Sequence, residues 1–311
     1  MNPVEHTQPK SFGQLFPQLF LFPLIIVTVG VLVWLFFIAS AQDTRSVEEM
    51  ISDMESGGAH ARSQDAYALA LKANELSTKG EYFSEESTRK LLALLERLKD
   101  EESLCEFLTL AVGRAGTPGI AIPLMSKMAL APETAPKARL NAVYALGLSG
   151  SAQAVEPFKE VIDRYMDPEE WRLRWLALGG LSHLREKSAI PYLRKALGDP
   201  RKEVSWNAAC WLANFFSDPG GLETLRKLTD WSYLDGERGD QNGELLPAEK
   251  EGFMVMAIQG LYEIEQDNVL GLLEEKTKDP RSYKVQNAAR QILGKRAEKK
   301  PEGKKKLPSE G

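Results

Sequence analysis

The chain has 311 residues, of which 43% are hydrophobic and 27% are charged, a composition that excludes a wholly disordered protein. It holds two cysteines and three histidines, too few for a disulfide framework and in no spacing that pairs them as zinc ligands. The net charge of −5 conceals a basic end, and an acidic body is a poor match for nucleic acid, so we expect no nucleic-acid partner.

The first predicted element is a membrane span. No charged residue occurs between Lys10 and Asp43, and within this window Leu19–Ala39 is apolar over about the 20 residues that a bilayer-spanning helix needs. We predict an N-terminal tail at 1–15 and a transmembrane anchor at 16–41. Because Ala39-Ser40-Ala41 has the small-x-small form of a cleavage site, a cleaved signal peptide and a secreted helical protein remain the alternative.

The location predicted from this segment is a single-pass cell-membrane protein. Lys10 and Arg45 flank the two sides of the span equally, so the distribution of positive charge does not set the orientation. N-terminal anchors commonly leave the following domain outside the cytoplasm, as a cleaved signal would. We therefore expect the bulk of the chain to be extracytoplasmic.

An internal repeat of 32–34 residues follows. One set consists of dipeptides that end in proline and recur every 34 residues: Ile122-Pro123, Glu156-Pro157 and Ile190-Pro191. A second set consists of dipeptides that recur every 33 residues: Asn141-Ala142, Arg174-Trp175 and Asn207-Ala208. A third set ends apolar runs on glycine, at Gly113, Gly147 and Gly179.

Each repeat is predicted to hold two helices. The first is short and opens on proline, whose missing N–H costs nothing in a first helical turn. The predicted first helices are 122–130, 156–165, 190–197 and 222–228. The second helix is rich in small residues, with apolar residues at helical spacing. The predicted second helices are 138–149, 171–184, 204–216, 253–264 and 284–293.

Asp-Pro pairs mark the joins between helices. No segment shows the alternation of apolar and polar residues that is typical of a strand. The pairs begin at Asp167, Asp199, Asp218 and Asp279, where they stop one helix and cap the next. One helix pair cannot bury its apolar stripe alone, whereas stacked pairs make a continuous core, with Ala and Gly at the contacts between helices. The pattern predicts an all-α protein, an α-solenoid of helix pairs preceded by one transmembrane helix.

A second helix of this kind resembles a known repeat class. Arg139, Ala142, Ala145, Leu146 and Gly147 are similar to the pattern of short HEAT-like repeats, which are also found in phycobilin lyases. The resemblance covers residues 100–296, with 42–99 as divergent N-terminal helices. It implies a scaffold or adaptor that binds a protein partner, such as an accessory subunit of a membrane complex. It transfers no catalytic residue, so we expect no enzyme, no cofactor and no metal; the alternative is a bilin-lyase-like enzyme.

Tryptophan residues on two successive second helices form the first candidate binding surface. Trp175 and Trp211 are expected to pack inward, because Trp175 shares its repeat position with Ala142 and Ala208. Trp and Arg are frequent in the residues that dominate binding energy at interfaces. The candidate partner-binding residues on these helices are Trp171, Arg172, Arg174 and Trp206, with core packing as the alternative.

Two segments break the repeat. An insertion at 231–250 is acidic and turn-rich, and insertions in such proteins map to loops on one face, which is often the binding face. Its candidate binding residues are Asp235, Glu237 and Asp240, with a solvated loop and a calcium loop as alternatives. The tail at 297–311 is predicted to be basic and disordered, and it either binds anionic lipid or only solubilises the last repeat.

Overall fold

The computed structural model of the protein describes residues 27–28, 31, 45–98, 101–237 and 245–299. Every regular element in these ranges is a helix and no strand occurs in them, which confirms the all-α prediction. The chain divides into two compact units, Met1–Glu49 and Met50–Gly311, each described by itself.

The predicted membrane span, Leu19–Ala39, lies outside the described residues except for Val27, Thr28 and Val31, which are helical and exposed. Among the helices that the structure describes, none has both the length and the apolar character that a membrane crossing requires. Further along the first unit, the Ser46 hydroxyl accepts from the Glu49 amide at 3.1 Å, and the Glu49 carboxylate accepts from the Ser46 amide at 2.7 Å. This reciprocal capping box starts the first described α-helix after the span.

The described part of the chain from residue 45 onward forms a series of α-helices. In chain order these are α1 (Val47–Ser56), α2 (Ala59–Lys79), α3 (Glu85–Arg97), α4 (Glu102–Ala115), α5 (Pro118–Leu130), α6 (Pro136–Leu148), α7 (Val155–Arg164), α8 (Trp171–His183), α9 (Ala189–Ala196), α10 (Lys202–Phe216), α11 (Leu222–Leu228), α12 (Trp231–Gly236), α13 (Pro247–Glu265), α14 (Leu270–Lys276) and α15 (Tyr283–Lys299). The helices predicted within the repeats are all present, and most of their ends lie within two or three residues of the prediction.

These helices form two layers in the second unit. The second helices of successive pairs lie in one row, each packed against the next: α2, α4, α6, α8, α10, α13 and α15. From α4 onward, each second helix also packs against the first helix of its own pair: α3, α5, α7, α9, α11 and α14. Buried apolar side chains fill these contacts, and one hydrophobic cluster joins α10, α11, α12, α13, α14 and α15.

Small residues set the distance between neighbours in the row. A Cβ added at Gly113 would lie 2.9 Å from the Cα of Ala145, so α4 and α6 approach too closely there for any side chain. A Cβ added at Gly260 would likewise lie 2.8 Å from the Cβ of Ala213, between α10 and α13. The prediction that Ala and Gly occupy the helix contacts is confirmed at these positions.

The Asp-Pro pairs cap the turns between helices as predicted. In each pair the aspartate carboxylate accepts a hydrogen bond of 2.9 Å from the amide two residues further on: Asp167 from Glu169, Asp199 from Arg201, Asp218 from Gly220 and Asp279 from Arg281. The prediction that Pro123 opens a helix is wrong. Pro118 takes the first helical position of α5, and Pro123 lies inside that helix.

The insertion at 231–250 is more ordered than the predicted loop. Trp231–Gly236 is helix α12, which Asp230 caps by accepting from the Ser232 amide at 2.8 Å, and α13 already begins at Pro247. Leu234 is fully buried in the core that α12 shares with the last repeats. The turn-rich acidic sequence thus forms a helix, which Leu234 joins to the core and whose Trp231 indole donates to the Asp279 carboxylate at 2.7 Å. Residues 238–244, including Asp240, lie outside the described ranges.

Candidate functional site: an aromatic groove across the second helices

An open apolar groove crosses the row of second helices. Its larger part has a volume of about 590 Å³ and extends over α6, α8, α10 and the start of α13. Its smaller part, of about 270 Å³, adjoins the C-terminal halves of α6, α8 and α10. Tyr144, Trp175 and Leu176 line both parts, so we treat them as one site, the aromatic groove. The groove is also lined by Leu140, Asn141, Trp171, Arg172, Glu203, Asn207, Leu245, Glu249, Phe253, Met256 and Trp211.

Trp171 and Trp175 meet the groove from one side of α8, because residues four apart share a helix face. Trp175 is 36% exposed, whereas Trp171 is only 8% exposed. The Trp171 ring is covered by two guanidinium groups, those of Arg172 and Arg201, at 4.6 and 5.0 Å from its centroid. Cation–π contacts of this kind hold the ring in place and leave Trp175 as the more accessible indole.

The inward packing expected for Trp175 is wrong. Its repeat position holds the fully buried Ala142 and Ala208 in neighbouring repeats, but an indole is far larger than a methyl group. The ring stays at the edge of the buried stripe of α8, where it forms part of the groove wall. Trp211 is buried as expected, and its ring lies 3.3 Å from a Cβ added at Gly179.

Trp206 does not belong to an exposed patch, contrary to its place among the candidate binding residues. It is 4% exposed, in an edge-to-face contact with Phe253 at 5.1 Å between ring centroids and a tilted contact with Tyr233 at 5.9 Å. The reason is its position on α10, in helical register with Ala209, Cys210 and Ala213 of the core. Its aromatic partner Phe253 lines the groove in its place.

Arg174 is likewise a core residue and not a binding surface. It is 3% exposed and donates to the Tyr165 carbonyl at 2.9 Å, the Asp167 carbonyl at 2.6 Å and the carboxylate of Asp199 at 2.8 Å. The side chain points into the join between repeats, whereas Arg172, two residues earlier, lies on the groove side. Of the four candidates on these helices, Trp171 and Arg172 line the groove, and Arg174 and Trp206 do not.

The acidic candidates of the insertion are tied to neighbouring helices. The Asp235 carboxylate accepts from Lys250 and Arg281, each at 2.8 Å, and these hydrogen bonds, that of Arg281 first, lower its pKa well below the usual range. Glu237 forms an ion pair with Lys202 at the start of α10. Within the described ranges, no group of three or more His, Cys, Asp or Glu residues is arranged to hold a metal ion.

The groove carries two acidic groups that sequence reasoning missed, Glu203 and Glu249. Glu249 accepts from the Leu246 amide at 2.7 Å and so caps the start of α13. In the described part of the chain, neither carboxylate forms an ion pair. The sequence did hold one usable signal for the groove: Leu140 and Tyr144 on α6 have the same four-residue spacing as the two tryptophans of α8, which places each pair on one side of its helix.

The two cysteines are buried, as expected for small hydrophobic side chains. The Cys105 thiol donates to the Leu98 carbonyl at 3.1 Å. Burial raises the pKa of Cys210 to about 12, so that its thiol is almost wholly protonated at neutral pH. Because the thiolate is the nucleophilic form, Cys210 is not suited to covalent chemistry at neutral pH.

No model of a known protein family matches the chain, and no curated protein is significantly similar to it. The fold defines the class at the level of architecture: an all-helical protein whose helices form two packed layers.

Proposed function

We propose that this protein is a HEAT-like α-solenoid scaffold that captures a protein partner in the aromatic groove. The single observation that carries the proposal is the exposure of Trp175 and Tyr144, at 36% and 44%, both of which line the larger and the smaller part of the groove. Contiguous exposed apolar surface with a polar rim is typical of an interaction site.

The solenoid assignment is supported by the pairing of the helices. Second helices separated by about one repeat pack in sequence order, and from α4 onward each packs on the first helix of its own pair. Contacts between neighbours alone are what a repeat protein requires, since each pair buries its apolar stripe against the next. The 32–34-residue spacing in the sequence agrees with this arrangement.

The groove suits binding rather than catalysis. Its walls are mainly apolar and aromatic side chains, and the polar groups among them are the carboxylates of Glu203 and Glu249, the guanidinium of Arg172, the amides of Asn141 and Asn207 and the imidazole of His183. Large aromatic rings in a desolvated recess, surrounded by a polar rim, are the usual composition of an interface hot spot. We therefore place the binding energy in Trp171, Trp175 and Tyr144.

We further propose that Leu19–Ala39 tethers the scaffold to a membrane, with the helical stack on the extracytoplasmic side. The support is the length of the uncharged apolar run. A tether raises the effective concentration of the groove near a membrane partner without any new contact. A reporter that is active on only one side of the membrane, fused after Gly311, tests the orientation.

The binding function is tested by crosslinking and affinity capture of the full-length chain from its native membranes, with quantitative mass spectrometry. The test variants are Trp175→Ala and Tyr144→Ala. The matched control is Tyr283→Ala, which removes a 73% exposed aromatic ring that does not line the groove. We expect recovery of at least one protein to fall about tenfold or more in the groove variants, the loss that a truncated hot-spot residue causes, and to be unchanged in the control. If no protein depends on Trp175 or Tyr144, the proposal is wrong.

A further inference from the structure

We infer that the occupant of the aromatic groove is an amphipathic helix of the partner that carries Lys or Arg toward Glu203 and Glu249. This inference rests on the proposed function and adds the chemistry of the ligand. Three features of the groove carry it: the few polar groups in its walls, the spacing of the helices that form it, and the two carboxylates.

The sparse polar lining favours a helix over an extended peptide. An extended strand brings unpaired N–H and C=O groups, which cost free energy in an apolar site unless the walls supply partners. The amides that line the groove are Asn141 and Asn207, and the Asn207 amide already donates to the Glu203 carbonyl at 2.6 Å. A helix satisfies its backbone internally and needs only apolar side chains for such walls.

The helix row offers a matching repeat. Packed helices lie about 8–10 Å apart, and the larger part of the groove crosses four of them: α6, α8, α10 and α13. A helix advances about 10.5 Å in seven residues. A partner helix that lies across the row therefore places apolar residues i, i+7 and i+14 into successive gaps between neighbouring second helices. Its residues at i+3 or i+4 then contact Trp175 and Phe253.

The charged groups of the groove predict the charge of the partner helix. Glu203 and Glu249 line the same part of the groove, on α10 and α13, and neither forms an ion pair within the described ranges. Arg172, which lines the α8 side, lies 4.6 Å over the Trp171 ring. Burying two carboxylates under an apolar ligand is costly unless a cation reaches them. A basic residue on the polar edge of the helix meets this need, whereas an acidic one is repelled.

The test begins with a displayed library of 20-residue peptides selected on the full-length chain, with the Trp175→Ala chain used for counter-selection. We expect enriched peptides to have apolar residues at i, i+3 or i+4, and i+7, together with Lys or Arg, and to gain helical circular dichroism on binding. Enrichment of acidic or proline-rich peptides, or no enrichment, overturns the inference. Equal binding of a fatty acid that displaces the peptides, or concentration-dependent self-association lost in Trp175→Ala, would assign the groove to an acyl chain or to a second copy and would also overturn it.

The second step swaps charges. Against the best peptide, Glu203→Lys with Glu249→Lys should weaken binding at least about tenfold, and replacing the basic residue of the peptide with Glu should restore it. The control is Glu263→Lys with Glu274→Lys, the same charge change at two exposed carboxylates on α13 and α14 that do not line the groove. Equal weakening by both pairs, or no rescue, contradicts the assignment. Partner capture could be lost in Trp175→Ala and yet be insensitive to the Glu203 and Glu249 changes. That result would support the scaffold function and contradict the inference that the partner carries Lys or Arg toward these carboxylates.

Discussion

The guanidinium of Arg174 binds both carboxylate oxygens of Asp199, at 2.8 and 3.2 Å, with the two side chains only 3% and 7% exposed. The same carboxylate caps the turn before α10, and the same guanidinium holds two backbone carbonyls in the turn before α8. One side chain thus connects the starts of two successive second helices. Fixing these starts fixes the rotation of α8 relative to α10, on which the shape of the groove depends.

Removing Arg174 should be strongly destabilising. Arg174→Ala leaves the Asp199 carboxylate buried without its cation, for which we expect a loss of about 3–5 kcal/mol in the free energy of unfolding. Denaturant unfolding followed by circular dichroism measures it. Lys227→Ala, which removes the exposed partner of Glu223, is the control and should change little. Equal effects of the two substitutions would contradict a structural role for the Arg174–Asp199 pair.

Substitution of Trp206 should lower stability, whereas substitution of Trp175 should weaken partner binding. Trp206→Ala removes a 4% exposed ring from the core and should cost about 3–5 kcal/mol of unfolding free energy. Trp175→Ala removes a partly exposed ring and should change stability far less while weakening partner binding. Thermal unfolding of both variants, together with capture of the partner, checks the pair. A Trp175→Ala chain that unfolds as early as Trp206→Ala would show that Trp175 acts through packing.

Gly180 is needed for the contact between α8 and α7. A Cβ at this position would lie 2.4 Å from Cζ of the fully buried Phe158, so Gly180→Ala should destabilise the protein by about 1–3 kcal/mol through overpacking. Gly294→Ala is the matched control, because a Cβ there meets nothing within 4 Å in the interior of α15. That change should stabilise the protein by about 0.5–1 kcal/mol. Melting temperatures that move in the same direction would refute the close contact.

Asp235 makes the attachment of the insertion sensitive to acid. Arg281 and Lys250 lower the pKa of its carboxyl in the folded protein, whereas the unfolded chain keeps the ordinary value near 3.8. The unfolded state therefore takes up the proton first, so the stabilisation is complete above about pH 5 and is lost as pH falls below about 4. Asp235→Asn should be less stable than the natural chain at pH 6, with a difference that shrinks by pH 3. Denaturant unfolding at both pH values measures it, and a constant difference would contradict the ion pairs.

The sequence predicts this fold well because its signals are local. Each second helix carries apolar and small residues at helical spacing, and each Asp-Pro pair marks a join whose capping bond forms within two residues. Such features act over one or two helical turns, so a single chain is enough to find them. The errors are the start of α5, which begins at Pro118 and not at Pro123, the acidic insertion, which forms a helix with Leu234 in the core, and the inward packing expected of Trp175.

What the sequence by itself determined is the all-helical class, the positions of the helices and the glycine and alanine contacts between them, since the 32–34-residue spacing repeats one local pattern. Only the tertiary structure decided which tryptophan faces outward and where charge lies in the groove. Trp171 and Trp175 on α8, Glu203 on α10 and Glu249 on α13 come together from residues up to 78 positions apart. Their exposure depends on the rotation of each helix against its neighbours, which packed side chains and the Arg174–Asp199 pair set, and no local pattern encodes it.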